Sequence, residues 1–434
     1  MDKILILKFG ESCFSDAEGF SRICGVLKEY QEQKLVIVVA ALPDIINLLE
    51  DCAKKANTCT SYAHDVTIIH NKHIELIDAL LKGSHQQKAQ QFITDKFGHL
   101  EEILEDIEEY GLSDNKLDIV LSFGEVLSGY ILNEYLLYMN FESEYLLGDR
   151  FLITDSRYNH ALPIMNISVR KVRALFIPLL KLGHIPVVTG FIGRNREGHL
   201  TTLGTGGPEF TAALIAYCLK DENFDTKVII WKHITGILTA DPAIVPDAQT
   251  IKRLSYEEAK EIAIGTKTIH PKCIQPIQNR EITLEIRNLS DIKSPHFTTI
   301  TKESIAKEKI IGITYREEVA MISAISESTV EIPGVLAQIF SLMGENEINI
   351  SMISQTSSEI NTTFVVNAED GESAQEILSK SEFFTDWFEI RVALVGMISV
   401  IGDGVNCPHN LERIFSALRW THIKILAMSL ASNG

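Results

Sequence analysis

The sequence runs to 434 residues, 45% hydrophobic and 23% charged, too long for one core and ordinary for a globular protein of two or three domains. A net charge of −18, from 40 basic against 58 acidic side chains, excludes nucleic acid and anionic membranes as partners. No apolar run approaches the roughly 20 residues of a membrane span. The start, MDKILILKFG, has too short an apolar core for a signal peptide, and seven cysteines without CxxC spacing indicate reduced thiols in a cytoplasm.

A first strand over residues 3–8 (KILILK) ends in Lys8-Phe9-Gly10. A lysine and a glycine at a buried strand tip suit a phosphate, with the lysine reaching a transferred phosphoryl group. A plain strand-end lysine projecting from the core fits as well. Ser12 can donate a hydrogen bond, whereas Glu11 brings a negative charge that an anion would resist at close range. A helix over 16–31, a strand over 35–41 (LVIVVAA) and helices over 75–110 and 124–139 follow. Ser122-Phe123-Gly124-Glu125 leads into the last of these. Its carboxylate either complements the helix dipole or holds a ligand's ammonium group.

After a helix over 169–182 comes a strand over 185–191 (IPVVTGF), with Pro186 at its entry where proline is tolerated. Gly190-Phe191-Ile192-Gly193 and Thr201-Thr202-Leu203-Gly204-Thr205-Gly206-Gly207 then precede a helix over 207–219. Glycines let backbone close around an anion and a helix N-terminus supplies N–H donors, so a phosphate cradle and a plain loop both fit. A strand over 227–231 (KVIIW) leads into Trp231–Pro242, which includes Lys232 and Asp241. A helix over 255–263 precedes Lys267, a candidate second phosphate cation, and His270-Pro271, read as structural. A strand over 282–287 (ITLEIR) closes this part. Most of the strands are continuous apolar runs, so helices should cover both faces of a mainly parallel sheet, giving an α/β three-layer sandwich.

Composition turns polar over 289–309, marking a boundary. Beyond it, residues 321–353 and 398–428 are similar: strand, turn with proline, amphipathic helix, strand. They read as a repeat of small α+β modules. The second copy stops soon after its strand 423–428, so either the sequence ends ahead of the module or another chain covers its edge. The expected division is 1–290, a linker over 291–309, and modules over 310–390 and 391–434.

In order and spacing, Lys-Phe-Gly, Phe-Gly-Glu, Gly-Phe-Ile-Gly, Thr-Thr-Leu-Gly-x-Gly-Gly, Thr-Ala-Asp-Pro, Leu-Ser-Tyr-Glu-Glu-Ala and Lys-x-x-His-Pro resemble the aspartokinases. The later repeats resemble that family's paired ACT modules. The resemblance implies an amino-acid-kinase fold, ATP with Mg²⁺, and phosphorylation of the β-carboxylate of aspartate. It also implies feedback by an amino acid at the ACT modules and a homodimer built through them. Lys8, Glu209 and Lys267 would be catalytic, with no protein metal site. Ser12, Glu125, Phe191 and Thr205 would bind the acceptor; Gly10, Thr202, Gly206, Gly207, Lys232, Asp241 and Lys267 the nucleotide. The effector would meet Pro333, Gly334, Asn349, Ser354 and Gln355, and not the turn at Pro408, where His409 crowds the cavity.

The chain departs from the family pattern at several points. Glu11-Ser12-Cys13 stands for Gly-Thr-Ser, and Ala40 and Ile46 replace hydroxyl residues. Thr205 stands for an arginine that clamps the substrate carboxylate, Pro208 for serine and Glu209 for aspartate. Lys232 stands for threonine and Ala243 for arginine. These changes leave open aspartate, another carboxylic acid, or a non-catalytic amino-acid sensor.

Overall fold

A computed structural model of the chain describes residues 2–266, 268–303, 309–326, 334–355, 361–419, 421 and 423–430. Its elements begin with β1 (Asp2–Phe9), α1 (Ala17–Glu29), β2 (Lys34–Val39), α2 (Ile45–Asn57), α3 (Ala63–Leu80), α4 (Gly83–Tyr110) and α5 (Asp114–Tyr138). There follow β3 (Ser143–Leu146), β4 (Ile153–Thr154), α6 (Met165–Leu182), β5 (Ile185–Thr189), β6 (Ile192–Asn195), β7 (Leu200–Thr202) and α7 (Gly207–Leu219). Next come β8 (Phe224–Lys232), β9 (Arg253–Ser255), α8 (Tyr256–Gly265), α9 (Ile274–Asn279), β10 (Thr283–Asn288) and β11 (Thr298–Thr301). The last stretch holds β12 (Gly312–Ser326), α10 (Val335–Glu345), β13 (Met352–Gln355), β14 (Asn361–Asn367), α11 (Gly371–Lys380), α12 (Glu382–Thr385), β15 (Phe388–Ile401) and α13 (Pro408–Arg419).

The chain forms two compact units, Met1–Leu238 with Gln249–Ile305, and Thr239–Ala248 with Ala306–Gly434. In the first, an eight-stranded sheet has the order β3-β5-β2-β1-β8-β10-β11-β9. Every pairing is parallel except β10 with β11. Side chains alternate across a strand. Leu5, Leu7, Phe9, Ile229 and Trp231 therefore share one core cluster with α1 to α5, while Ile4, Ile6, Val228 and Ile230 are buried on the other face, where α7 packs on β1 and β8. This is the expected three-layer α/β sandwich.

Several local expectations need correction. The helix read over 75–110 is two helices, because Leu81 is extended and Gly83 has φ +63°, a conformation cheap only for glycine. The helix read from 124 begins at Asp114, where the Ser113 hydroxyl caps the backbone N–H of Lys116, so Glu125 sits in mid-helix. α2 was not expected at all. Its entry residue, Asp44, has φ +67°.

The second unit holds a four-stranded antiparallel sheet of order β13-β14-β12-β15. Ala320, Ile322, Ala324, Ile339, Met343, Phe364, Val366 and Leu378 form its core. The strand of the second repeat is the end of β15, which runs on from the first module's sheet across residue 390. Residues 423–428 form no strand, so that expectation is corrected: among the described residues they pair with neither edge of this sheet. Among the described residues, no helix is long and apolar enough to cross a membrane.

Candidate active site

β1 and β8 are adjacent and parallel, with Lys8 opposite Ile230 and Phe9 opposite Trp231. Lys8 and Lys232 are out of phase with Phe9 and Trp231, so both ammonium groups point to the face that α7 covers. Glu209, in the first turn of α7, receives them. Lys8 Nζ donates to Glu209 Oε1 at 2.7 Å and Lys232 Nζ lies 3.3 Å from the same oxygen. Lys8 is 3% exposed, so it does not project from the core as a plain strand-end lysine would. Burial alone would raise the pKa of Glu209, but the Lys8 and Lys232 ammoniums together hold it at about 2.

Between the lysines, the Gly10 N–H donates to the Trp231 carbonyl at 3.1 Å. A Cβ on Gly10 would stand 3.5 Å from Lys8 Nζ and 3.6 Å from Lys232 Cγ. The absent side chain thus leaves a buried, methyl-sized notch beside Lys8 Nζ and the Lys232 stem. The glycine loop forms the neighbouring wall. Gly206 has φ +74°, and a Cβ there would lie 2.3 Å from Cβ of His270, which packs against the loop as a structural residue. Lys272 Nζ donates to the Leu203 carbonyl at 3.1 Å. Phe191, at φ +69°, donates its N–H to Thr211 Oγ1 and packs its ring on Gly207. Thr202 is fixed by the buried Asp118, whose carboxylate accepts from Thr202 Oγ1 at 2.6 Å and from its N–H at 2.8 Å.

A pocket of about 300 Å³ is lined by Glu11, Ser12, Ser15, Pro43, Asp44, Ile46 and Asn47. Glu11 is exposed at its rim. Glu125 is 3% exposed, and its Oε2 has no hydrogen-bond partner among the described residues. Burial drives its pKa up to about 8, against the pull of Lys8. The thiol of Cys13 donates to the Trp231 carbonyl at 3.2 Å, and burial pushes it up to about 11.

The structure thus brings together Lys8, Gly10, Glu209 and Lys232, with Ser12 on the pocket and Thr202, Gly206 and Gly207 in the loop. Thr205 is exposed at the loop. Lys267 and Pro333 lie outside the described residues. Asp241 belongs to the second unit, where its Oδ1 accepts from the Ala243 N–H at 2.9 Å. In that unit Gly334 caps α10 at φ +91°, Asn349 and Gln355 are exposed and Ser354 is half-buried. Asp118 and Lys272 escaped the sequence reading. Asp118 lay ahead of the expected helix start, and Lys272 carries no motif beyond following His-Pro.

Residues 3–288 match the amino acid kinase family and residues 322–381 an ACT domain. The bifunctional aspartokinase/homoserine dehydrogenase of Buchnera aphidicola is 27% identical, with 99% of this chain matched to 53% of that protein. The chain therefore spans about half the length of such bifunctional relatives. The aspartokinase of Geobacillus stearothermophilus is 29% identical over 74% of this chain and 76% of its own. E. coli aspartokinase III, solved in complex with aspartate and ADP, superposes with a TM-score of 0.86 at 21% identity, covering 99% of this chain and 94% of that one. At that identity the likeness is one of fold.

Proposed function

Because this chain belongs to the amino acid kinase family, we propose that it transfers the terminal phosphoryl group of ATP to the side-chain carboxylate of an amino acid, aspartate or a related acid. The observation that carries this reading is the buried Lys8, held by Glu209 in the first turn of α7 beside the glycine loop. The acceptor's carboxylate oxygen forms a bond to the γ-phosphorus, the bond to the β-phosphate oxygen breaks, and an acyl phosphate and ADP result. The carboxylate is already ionised, so no general base is required. Catalysis is positioning and charge stabilisation, with Lys8 facing the transferred group, Lys267 a second cation, and Glu125 holding the acceptor's ammonium. Ser12, Phe191 and Thr205 would line the acceptor; Gly10, Thr202, Gly206 and Gly207 would serve the nucleotide. Mg²⁺ carried by ATP would neutralise phosphate charge.

The pocket favours an acceptor that differs from aspartate: Thr205 turns to solvent, and Ile46, Glu11 and Asp44 line the space. On this reading residues 1–290 are the kinase, 291–309 a linker, and 310–390 and 391–434 ACT-like modules of a cytoplasmic homodimer. The effector sits by Gly334, Asn349, Ser354 and Gln355. E. coli aspartokinase III has been solved with lysine and aspartate, and an amino acid is the effector class proposed here. The test is ADP release coupled to hydroxylamine trapping, run across aspartate, glutamate and related acids. Turnover on one of them is expected. No turnover on any, with an amino acid still bound, makes the chain a non-catalytic sensor.

A further inference from the structure

Two buried ammonium groups share one carboxylate oxygen, Lys8 Nζ at 2.7 Å and Lys232 Nζ at 3.3 Å from Glu209 Oε1. Among the described residues neither has a second ion-pair partner, so the cluster carries one positive charge in excess. A cation removed from water without a partner of its own is costly. The Lys232 side chain is nonetheless only 19% exposed, although a lysine stem at a strand end has the reach to carry its charge to solvent. Burial accordingly weakens its hold on the proton, with the Lys8 ammonium adding to the effect and Glu209 opposing it. A site with surplus positive charge beside the side-chain-free Gly10 is complete when an anion enters. The aspartokinase pattern has a neutral threonine at this position, so the cation at Lys232 is a feature of this chain.

We propose that Lys232 is a phosphate-binding cation of the transfer site, parked on Glu209 in the free protein and turned with Lys8 onto the phosphates of a nucleoside triphosphate as they approach Gly10. The inference rests on the kinase reading above and adds a cation that compensates for the altered loop, where Glu11 has entered. Glu209 then acts as the counter-ion that keeps both ammoniums in place between turnovers.

Calorimetric binding of inorganic tripolyphosphate to the full chain tests this, with Lys232→Thr, Lys232→Met and Lys232→Arg compared with wild type and thermal melts recorded without ligand. The two neutral variants are expected to weaken binding about 10-fold or more, while Lys232→Arg stays within a few-fold. Their melting temperatures should hold or rise, because Lys8 loses a like-charged neighbour. Unchanged tripolyphosphate binding in both neutral variants overturns the inference, and the kinase reading stands if turnover persists. A marked fall in melting temperature for both also overturns it, since Lys232 would then be a structural residue. Tripolyphosphate that fails to bind wild type overturns both readings. Binding that depends on Lys232 in a protein with no turnover on any acid supports the inference and removes the transfer reading.

Discussion

At the scale of single residues, the charges around Glu209 define what each substitution tests. Lys8→Ala leaves Glu209 paired with Lys232, so the fold is expected to persist while kcat falls about 10²-fold or more through loss of a cation at the transferred group. Steady-state kinetics beside a thermal melt would check both halves. Glu209→Gln is the opposite case, since it strands two buried ammoniums and is expected to cost on the order of 3–5 kcal/mol in denaturant unfolding. Glu125 has a pH signature. Its folded pKa of about 8 lies above the ordinary carboxylate value of 4.5, so the folded state binds more protons between those limits and loses stability as pH rises through the window. Glu125→Gln removes that loss, and its melting temperature should gain on wild type progressively from pH 5 to 9. Equal profiles would mean that Glu125 is ionised in the fold. Thr205→Arg with Ile46→Thr and Pro208→Ser should raise kcat/KM for aspartate if those positions set acceptor choice. No gain in a parent that already uses aspartate well would remove that idea.

Among the elements, the glycine loop between β7 and α7 is the most exacting. Gly206→Ala forces a Cβ into His270 at a positive φ, so a stability loss above about 1 kcal/mol is expected, with a raised KM for ATP; an unchanged melt and KM would show the loop to be pliable. The long buried strands were legible because β1, β2 and β8 contain apolar runs of four residues or more. β4, β6, β7, β9 and β11, two to four residues each, are too short to show a period. The start of α5 was hidden because this helix is buried on nearly every side, which erases the amphipathic pattern that marks a surface helix. Lys8, Glu209 and Lys232 could each be picked from sequence, but their convergence on one oxygen depends on strand register and on where α7 docks, and neither is written locally. Asp118 was missed for the same reason, as its partners lie at Asn159 and Thr202.

For the whole molecule, the second unit leaves β15 as an edge strand with Leu394 and Ile398 exposed, an invitation to pairing that proteins rarely leave uncovered. A second copy of the chain is the cover expected here. Leu394→Asp with Ile398→Asp should convert a dimer to a monomer by light scattering, and an unchanged mass would exclude this edge as the contact. The central place of β1 in its sheet has a bearing on how the protein comes into being. Its first residues pair with β2 on one side and, from Asp2 opposite Phe224 onward, with β8 on the other. During synthesis the amino-terminal strand therefore waits, one flank bare, until the ribosome has delivered more than half of the chain. Lys232, and the Trp231 carbonyl that accepts from the Gly10 N–H, come only with β8. A nascent chain halted before β8 would hold Lys8 and Glu209 but lack Lys232 and the second neighbour of β1.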